Sequence, residues 1–361
     1  MKITRIETWR EEIPLTRPYE IAFRRSESAE NCFVRVVPDQ GAPGLGCAAP
    51  EHHVTGETMD ECEAALQPDG LDFLTGRDPR ERALLAREID GHLPDTPAAR
   101  AALDMALYDL LARRLEVPLV RLLGQAHKAL PTSITIGIMG VTDTLEEAEE
   151  YLGKGFRVLK VKTGRDLEED IERVRKLRER FGRDITVRVD ANQGYDADML
   201  TRFVQATQDQ GLEFVEQPLP AGEDMRALPE ATRALIAADE SLLSPADALA
   251  LAAPPRACGI FNIKLMKCGG PTAGLRIADI ADLAGIHLMW GCMDESRISI
   301  SAALHTALAC PATRYLDLDG HLDLARDPAA GGFHIKDGVM HPSDDPGLGV
   351  HLDAAPNPDS A

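Results

Sequence analysis

Apolar and polar residues follow two different patterns along the chain, and the first occupies residues 1 to about 125. Residues 3–9 and 31–37 alternate apolar and polar positions and are rich in β-branched side chains, which predicts strands. Over residues 96–115, Ala, Leu and Met recur at steps of three and four, which predicts an amphipathic helix beginning at the Thr96-Pro97 cap and ending before Pro118. We therefore expect an α+β domain over residues 1–125.

A second pattern runs from residue 126 to about 325, where short apolar runs finish in a polar or charged residue and lead into helical stretches. Subtracting the numbers of successive run ends gives steps of 23 to 28 residues. A strand, its helix and two short loops need about 25 to 30 residues in an α/β barrel. The pattern predicts a TIM-type (β/α)7β barrel, with a doubly wound sheet as the weaker alternative. The run ends are Thr135, Lys162, Asp190, Glu216, Asp239, Lys264, Cys292 and Asp317.

Residues 326–361 are rich in Asp, Pro and Gly and lack the barrel pattern. We expect this C-terminal segment to pack back on the first domain. The predicted organisation is therefore an α+β capping domain, a catalytic barrel over residues 126–325 and a returning tail.

Three carboxylates end consecutive predicted strands, at Asp190, Glu216 and Asp239. Active sites of such barrels lie at the C-terminal ends of the strands, so these side chains should converge. Three carboxylates buried together repel one another unless a cation accompanies them, and hard oxygen ligands suit Mg²⁺. A lone strand-end Asp would usually be a solvated or salt-bridged residue, but the triplet favours a magnesium site.

Lysines end the second and sixth predicted strands, at Lys162 and Lys264. A lysine accepts a proton at neutral pH only if its pKa is lowered from about 10.4. Lys160, two residues before Lys162 and on the same side of the strand, supplies a like charge that pushes the pKa in this direction. Together the lysines and the metal site predict removal of a proton next to a substrate carboxylate, leaving an enediolate. Lys267 is expected at the periphery.

Several motifs resemble the muconate-lactonizing subgroup of the enolase superfamily and, within it, the dipeptide epimerases. They are DMALYDLLARRLEVPLVRLLG, LKVKTG, VDANQGY, EQPL, ADES and NIKLMKCGG, in that order. The resemblance covers nearly the whole chain. It implies Asp190, Glu216 and Asp239 as Mg²⁺ ligands, and Lys162 and Lys264 as the residues that exchange the proton from opposite faces. Lys160 would assist them.

The resemblance also implies where a substrate binds. Asp317 and Asp319 in LDLDG match an Asp-x-Asp motif that grips the free ammonium group of a dipeptide, and two carboxylates on one side of a strand suit a cation. Arg24 matches an arginine of the capping loop that receives a side-chain carboxylate, and Thr135 matches a substrate-contacting position. These features predict L-Ala-L-Glu or its D-Glu epimer as the substrate.

One segment departs from that pattern. The seventh predicted strand ends in GCMDES, which places Asp294 where the family more often has an apolar residue, with Glu295 beside it. An acidic residue in the side-chain pocket would favour a cationic substrate residue instead. Which of the two points inward depends on where the strand ends, so both remain candidate substrate-binding residues.

Composition narrows the classes of partner. Hydrophobic residues make up 44% and charged residues 27%, which is typical of a globular protein with a large core. The net charge of -20 argues against nucleic acid and anionic membrane surfaces, and no apolar run approaches the roughly 20 residues of a membrane helix. The seven cysteines are scattered without a CxxC pair, which favours reduced thiols. We expect a cytoplasmic protein, and the family resemblance implies a homo-oligomer.

Other functions remain open at this point. An N-acylamino acid racemase, an o-succinylbenzoate synthase or a muconate cycloisomerase of the same subgroup would share the lysines and the metal site. Asp317 and Asp319 discriminate against these enzymes, because their substrates lack the free ammonium group. A catalytically idle barrel is the alternative from a different class, and absence of Mg²⁺ binding would favour it.

Overall fold

The structure is a computed structural model that describes residues 1–21 and 24–352 of the 361-residue chain. The side chains of residues 18–26 lie outside the described part. Arg24, a candidate substrate-binding residue, is among them. The remaining candidate residues are all described.

The first unit is an antiparallel sheet covered by helices. Its strands are β1 (Ile3–Ile21), β2 (Arg24–Pro38) and β3 (Gly44–Ala48), paired in that order. The helices are α1 (His52–Thr55), α2 (Met59–Ala65), α3 (Arg82–His92), α4 (Pro97–Arg114) and α5 (Leu119–Leu123). Helix α4 begins after Thr96 and ends before Pro118, as predicted. The α+β character of this part of the chain is confirmed.

Close contact between β3 and α4 holds this unit together. Helix α4 is buried along most of its length, so its small residues face the sheet on one side and the barrel on the other. A Cβ atom added at Gly46 would lie 1.9 Å from the carbonyl oxygen of Ala102. Strand and helix backbones therefore approach to a distance that only glycine allows.

The second unit is a parallel sheet of eight strands that runs in sequence order. A bridge between Thr132 and Leu316 joins its first strand to its last, which closes the barrel. The strands are β5 (Ile134–Ile136), β6 (Val158–Lys162), β7 (Thr186–Asp190), β8 (Val215–Glu216), β9 (Ile236–Ala238), β10 (Ile260–Ile263), β11 (His287–Trp290) and β12 (Thr313–Leu316), after a short β4 (Leu130–Pro131). The predicted barrel is confirmed, and the doubly wound alternative is wrong.

Helices fill each of the seven connections between barrel strands, which gives the (β/α)7β arrangement. They are α6 (Val141–Gly153), α7 (Leu167–Phe181), α8 (Ala197–Thr207), α9 (Glu230–Ala234), α10 (Pro245–Ala252), α11 (Leu265–Cys268), α12 (Pro271–Ala284) and α13 (Arg297–Ala309). Local sequence sets several starting points. Asp166, Asp196 and Ser244 accept hydrogen bonds from the first-turn amides of α7, α8 and α10.

The segment after the barrel returns towards the first unit. It forms β13 (Ala329–Gly331), β14 (Phe333–Lys336), β15 (Val339–Pro342) and β16 (Val350–Leu352). The buried carboxylate of Asp109 in α4 accepts the amides of Leu45 and Leu348, at 2.9 and 2.7 Å. One side chain therefore ties the first sheet, α4 and the tail together. The domain boundaries at residues 125 and 325 remain predictions.

None of the helices in the described part of the chain is both long and apolar enough to cross a bilayer.

The contact between β3 and α4 yields a stability prediction. Gly46→Ala should lower the free energy of unfolding by about 1–3 kcal/mol, because the new methyl group forces the two backbones apart. Gly70→Ala is the matched control, since a Cβ atom there meets nothing within 4 Å. Urea denaturation of both variants measures the difference. Equal stability of the two variants would contradict the close approach.

Candidate active site

Charged side chains gather where the barrel strands end. In the sheet, Lys162 pairs with Asp190, and Asp190 pairs with Glu216. Asp239 directly follows β9 and Lys264 directly follows β10, so parallel strands bring all five to one end of the barrel. The three carboxylates are fully buried, and Lys264 is 7% exposed. The sequence-predicted cluster therefore forms.

Each of these carboxylates faces a lysine ammonium group. The Nζ atom of Lys162 lies 2.7 Å from Asp190 Oδ2, and that of Lys264 lies 2.7 Å from Asp239 Oδ2. Lys160 sits between the two halves of the cluster. Its Nζ atom lies 2.8 Å from Glu216 and 3.1 Å from Asp190. Alternating charges offset the cost of burial.

Mutual repulsion is nevertheless visible in the proton affinities. Burial and then the charge of Asp190 raise the pKa of Glu216 to about 8. Burial alone would lower the pKa of Lys264, but the charges of Asp239 and Glu216 outweigh it and hold that pKa above its usual range. The same balance, with three adjacent carboxylates, holds the pKa of Lys160 well above its usual range. At Lys160 and Lys264 the lowering of the pKa by burial is therefore outweighed by the adjacent carboxylates.

The donor set fits a hard divalent cation. Asp190, Glu216 and Asp239 offer only oxygen atoms, and their burial next to one another is relieved by added positive charge. Glu216 Oε2 lies near Lys160 but accepts no hydrogen bond of good geometry. Within residues 1–21 and 24–352, no three acidic, histidine or cysteine side chains are already arranged to hold a metal ion. The lysines occupy the positions facing these oxygens.

Lys267 does not lie at the periphery, and that expectation is wrong. Its side chain is 2% exposed and its Nζ atom donates to the carbonyl oxygens of Asp239 and Asn262, at 2.7 and 3.0 Å. It also donates to the Asp239 carboxylate. Helix α11 begins after Lys264, and its first turn brings residue 267 back beneath the strand end. Sequence position alone did not reveal this turn.

Asp317 is held by groups of the protein itself. Its Oδ2 atom accepts from Lys160 at 2.7 Å, and its Oδ1 atom accepts from the Ser133 hydroxyl at 2.5 Å. Arg188, buried in the barrel, donates to the Ser133 hydroxyl at 3.2 Å. A buried network therefore runs from the barrel interior to Lys160. The first strand gave no sequence signal for Ser133.

Asp319 belongs to a second group of carboxylates, which lies beside the group formed by the lysines and Asp190, Glu216 and Asp239. Its Oδ2 atom accepts the backbone amide of Thr135 at 2.7 Å, so Thr135 reaches the site through its backbone. Burial and the charge of Asp317 raise the pKa of Asp319 to about 6. Burial and then the charges of Asp319, Asp294 and Glu147 raise the pKa of Asp323 to about 8. We call Asp294, Asp319, Asp323 and Glu147 the acidic cluster.

The two acidic residues after β11 have different surroundings. Glu295 is 2% exposed, and its carboxylate accepts the backbone amide of Met293 at 2.8 Å, which braces its own loop. Burial raises the pKa of Glu295 to about 7. Asp294 is half-buried and belongs to the acidic cluster. Asp294 is thus the more exposed of the two.

Sequence reasoning missed three polar residues that complete the site. Asn262 donates to Glu216 at 2.6 Å, Asn192 accepts from Lys162 at 3.0 Å, and Glu240 lies 3.5 Å from the Asn192 amide. In VDAN, Asn192 lies two residues after Asp190, and in ADES, Glu240 directly follows Asp239. Their polarity beside buried strands was a usable signal.

Two family models match successive parts of this fold. The mandelate racemase/muconate lactonizing enzyme N-terminal domain matches residues 3–124. The enolase C-terminal domain-like model matches residues 143–356, which carry the lysines and carboxylates. The chain belongs to the mandelate racemase/muconate lactonizing enzyme family. Similar members of that family are named epimerases and racemases, which are isomerases, and this chain is an isomerase as well.

Individual members of the family are similar over their whole length. An L-Lys-D/L-Arg epimerase of Methylococcus capsulatus is 60% identical over 352 residues, covering 97% of this chain and 99% of the relative. An L-Ala-D/L-Glu epimerase of Bacillus subtilis is 35% identical, covering 97% of each. The crystal structure of a Methylococcus capsulatus dipeptide epimerase with Mg and L-Arg-D-Lys has a TM-score of 0.96 at 60% identity, covering 97% of this chain and 99% of that one.

The position of Lys267 yields a prediction. Lys267→Met should lower the free energy of unfolding by about 3–5 kcal/mol, because it removes the buried donor that serves Asp239 and Asn262. The control is Lys176→Met, which breaks an exposed ion pair with Glu179 and should leave the free energy of unfolding nearly unchanged. Thermal and urea unfolding compare the variants. If the Lys267 variant were as stable as the control, the contacts of Lys267 with Asp239 and Asn262 would not contribute to stability, contrary to this prediction.

Proposed function

We propose that the chain is a magnesium-dependent dipeptide epimerase that inverts the α-carbon of the C-terminal residue of its substrate. The observation that carries this proposal is the placement of Lys162 and Lys264. Lys162 ends β6 and Lys264 directly follows β10; these strands are four apart in an eight-stranded closed barrel, so the two lysines lie on opposite sides of its mouth. A planar intermediate held between them is open to protonation on either face.

The reaction needs one neutral lysine and one ammonium group. The neutral lysine takes the α-proton and becomes an ammonium group, and the electron pair of the broken C–H bond delocalises into the substrate carboxylate as an enediolate. The opposite lysine then gives a proton to the other face and becomes neutral. The protons balance, and the reverse reaction exchanges the roles of Lys162 and Lys264.

Asp190, Glu216 and Asp239 would hold Mg²⁺, which would supply positive charge to the substrate carboxylate as that group gains electrons. Lys160 remains an ammonium group in this proposal, since its pKa is held high by adjacent carboxylates. It adds a fixed positive charge to the same end of the barrel. Asp317 anchors Lys160, and Asp319 offers a carboxylate to the substrate ammonium group.

The acidic cluster favours a dipeptide with cationic side chains over L-Ala-L-Glu. Burial, and then repulsion within the cluster, raise the pKa of Asp323, and a bound cation would relieve that repulsion. The relative at 60% identity is named for L-Lys-D/L-Arg, whereas the alanyl-glutamate epimerase is 35% identical. We therefore propose Lys- and Arg-containing dipeptides as the substrate class.

Racemisation of N-acylated amino acids is the second candidate within the family. Acylation removes the ammonium group that Asp319 would bind and leaves that carboxylate buried without a cation. The presence of Asp317 and Asp319 therefore favours the dipeptide.

Proton exchange tests the reaction. With Mg²⁺ in D₂O, L-Lys-L-Arg should lose its α-proton signal at the C-terminal residue and yield L-Lys-D-Arg, followed by NMR. Removal of Mg²⁺ with EDTA should stop the exchange, because the carboxylate then lacks its cation. Lys162→Ala and Lys264→Ala should each abolish epimerisation. Exchange of an N-acylamino acid but of no dipeptide would sink the proposal.

Substrate choice is tested at the acidic cluster. Asp294→Asn and Asp323→Asn should each lower kcat/KM for L-Lys-L-Arg about tenfold, a loss of about 1.4 kcal/mol of transition-state binding, and spare L-Ala-L-Leu. Asp209→Asn, at an exposed site on the outer face of the barrel, is the matched control. A wild-type preference for L-Ala-L-Glu would instead support the Arg24 assignment.

A further inference from the structure

The turn after β7 has an unusual backbone. Asn192 and Gln193 both adopt positive φ angles, 41° and 68°, although neither is glycine. Side chains disfavour this region, and asparagine tolerates it better than most residues. Two hydrogen bonds fix the turn, from the Gln193 amide to Gln217 at 2.7 Å and from the Tyr195 amide to Pro218 at 3.0 Å. The strained turn is therefore held by the next strand.

The same turn is locked against the loop after β6. A Cβ atom at Gly194 would lie 2.4 Å from the Gly164 carbonyl oxygen, so the two backbones touch. The Asp170 carboxylate joins them, because its Oδ2 atom accepts from the Gly164 amide at 2.9 Å and from the Tyr195 hydroxyl at 2.8 Å. Asn192 therefore has a fixed position relative to Lys162, which ends β6.

The side-chain amide of Asn192 lies between two opposite charges. Its Oδ1 atom accepts from Lys162 Nζ at 3.0 Å, and its Nδ2 atom lies 3.5 Å from Glu240 Oε1. The reversed orientation would place an NH₂ group against an ammonium group and a carbonyl oxygen against a carboxylate. Charge therefore fixes the amide orientation. Glu240 is 6% exposed, and its other oxygen has no hydrogen-bond partner within the described residues.

We propose that Asn192 is a positioning residue for Lys162, and this inference rests on the proposed epimerase function. Its neutral Oδ1 atom can accept one N–H of Lys162 whether that lysine is an amine or an ammonium group. Among the described residues, Lys162 also donates to Asp190, a proposed metal ligand. The hydrogen bond to Asn192 fixes the direction of one N–H of Lys162. The lone pair of the amine, or the proton that replaces it in the ammonium group, is thereby directed towards the substrate α-carbon.

The arrangement is not repeated at the other lysine. Lys264 Nζ donates to the carboxylate of Asp239 at 2.7 Å, and the residue two positions after that carboxylate is Ser241, which serves Gln217 instead. Removing the Asn192 amide should therefore slow proton transfer by Lys162 and spare transfer by Lys264. A general disturbance of the site would slow both.

Single-lysine variants separate the two transfers. With Lys264→Ala only Lys162 remains to exchange the α-proton of L-Lys-Arg in D₂O, and with Lys162→Ala only Lys264 remains. Asn192→Gly is placed in each background, because glycine keeps the positive φ angle without strain. Gln193→Gly is the matched control at the neighbouring positive φ angle. Deuterium uptake from the L,L- and L,D-dipeptides is followed at saturating Mg²⁺.

We expect Asn192→Gly to slow exchange about tenfold or more in the Lys162-only background and less than about twofold in the Lys264-only background. Gln193→Gly should change the two rates by equal factors. Equal losses from Asn192→Gly in both backgrounds, or no loss in either, overturn the positioning role. A second measurement uses protein that retains both lysines. The initial rates of deuterium uptake from the L,L- and L,D-dipeptides are compared with and without Asn192→Gly. A wild-type protein that exchanges no dipeptide overturns the proposed function, and this inference with it.

Discussion

Burial of Asp190, Glu216 and Asp239 at adjacent strand ends is the constraint around which the barrel mouth is organised. Three like charges buried together repel one another, and burial together with the charge of Asp190 raises the pKa of Glu216. Lysine side chains compensate these charges from above the carboxylates, and Lys267 does so from beneath Asp239. The proposed cation enters a site whose balance of charge is already set by ammonium groups.

Much of this arrangement could be predicted from the sequence because barrel periodicity converts spacing into position. Once eight strands were inferred, residues 162, 190, 216, 239 and 264 had to meet at one end. Helix α4 was predictable for a similar reason, since its small residues repeat with helical spacing and it begins at a Thr-Pro cap. These features depend on local pattern and on a fold with a strict rule for where strands end.

Other parts depended on contacts that a linear pattern does not encode. Lys267 was expected at the periphery but contacts the Asp239 carboxylate, because a short helix begins directly after Lys264. The roles of Asp317 and Asp319 separate only when Ser133 and Thr135, from the opposite end of the barrel sequence, are seen beside them. The proposed substrate preference was the least predictable property, because it rests on how two loops and helix α6 bring Asp294, Asp323 and Glu147 together.

The opposition of Lys162 and Lys264 across a closed barrel has a consequence for direction. A catalyst speeds both directions of a reaction equally, so a pair of opposed proton carriers gives access to both configurations but does not change their ratio at equilibrium. The ratio of epimers is then a property of the peptides themselves. Net flow towards one hand requires a neighbouring reaction that supplies one epimer or consumes the other, such as a peptidase selective for configuration.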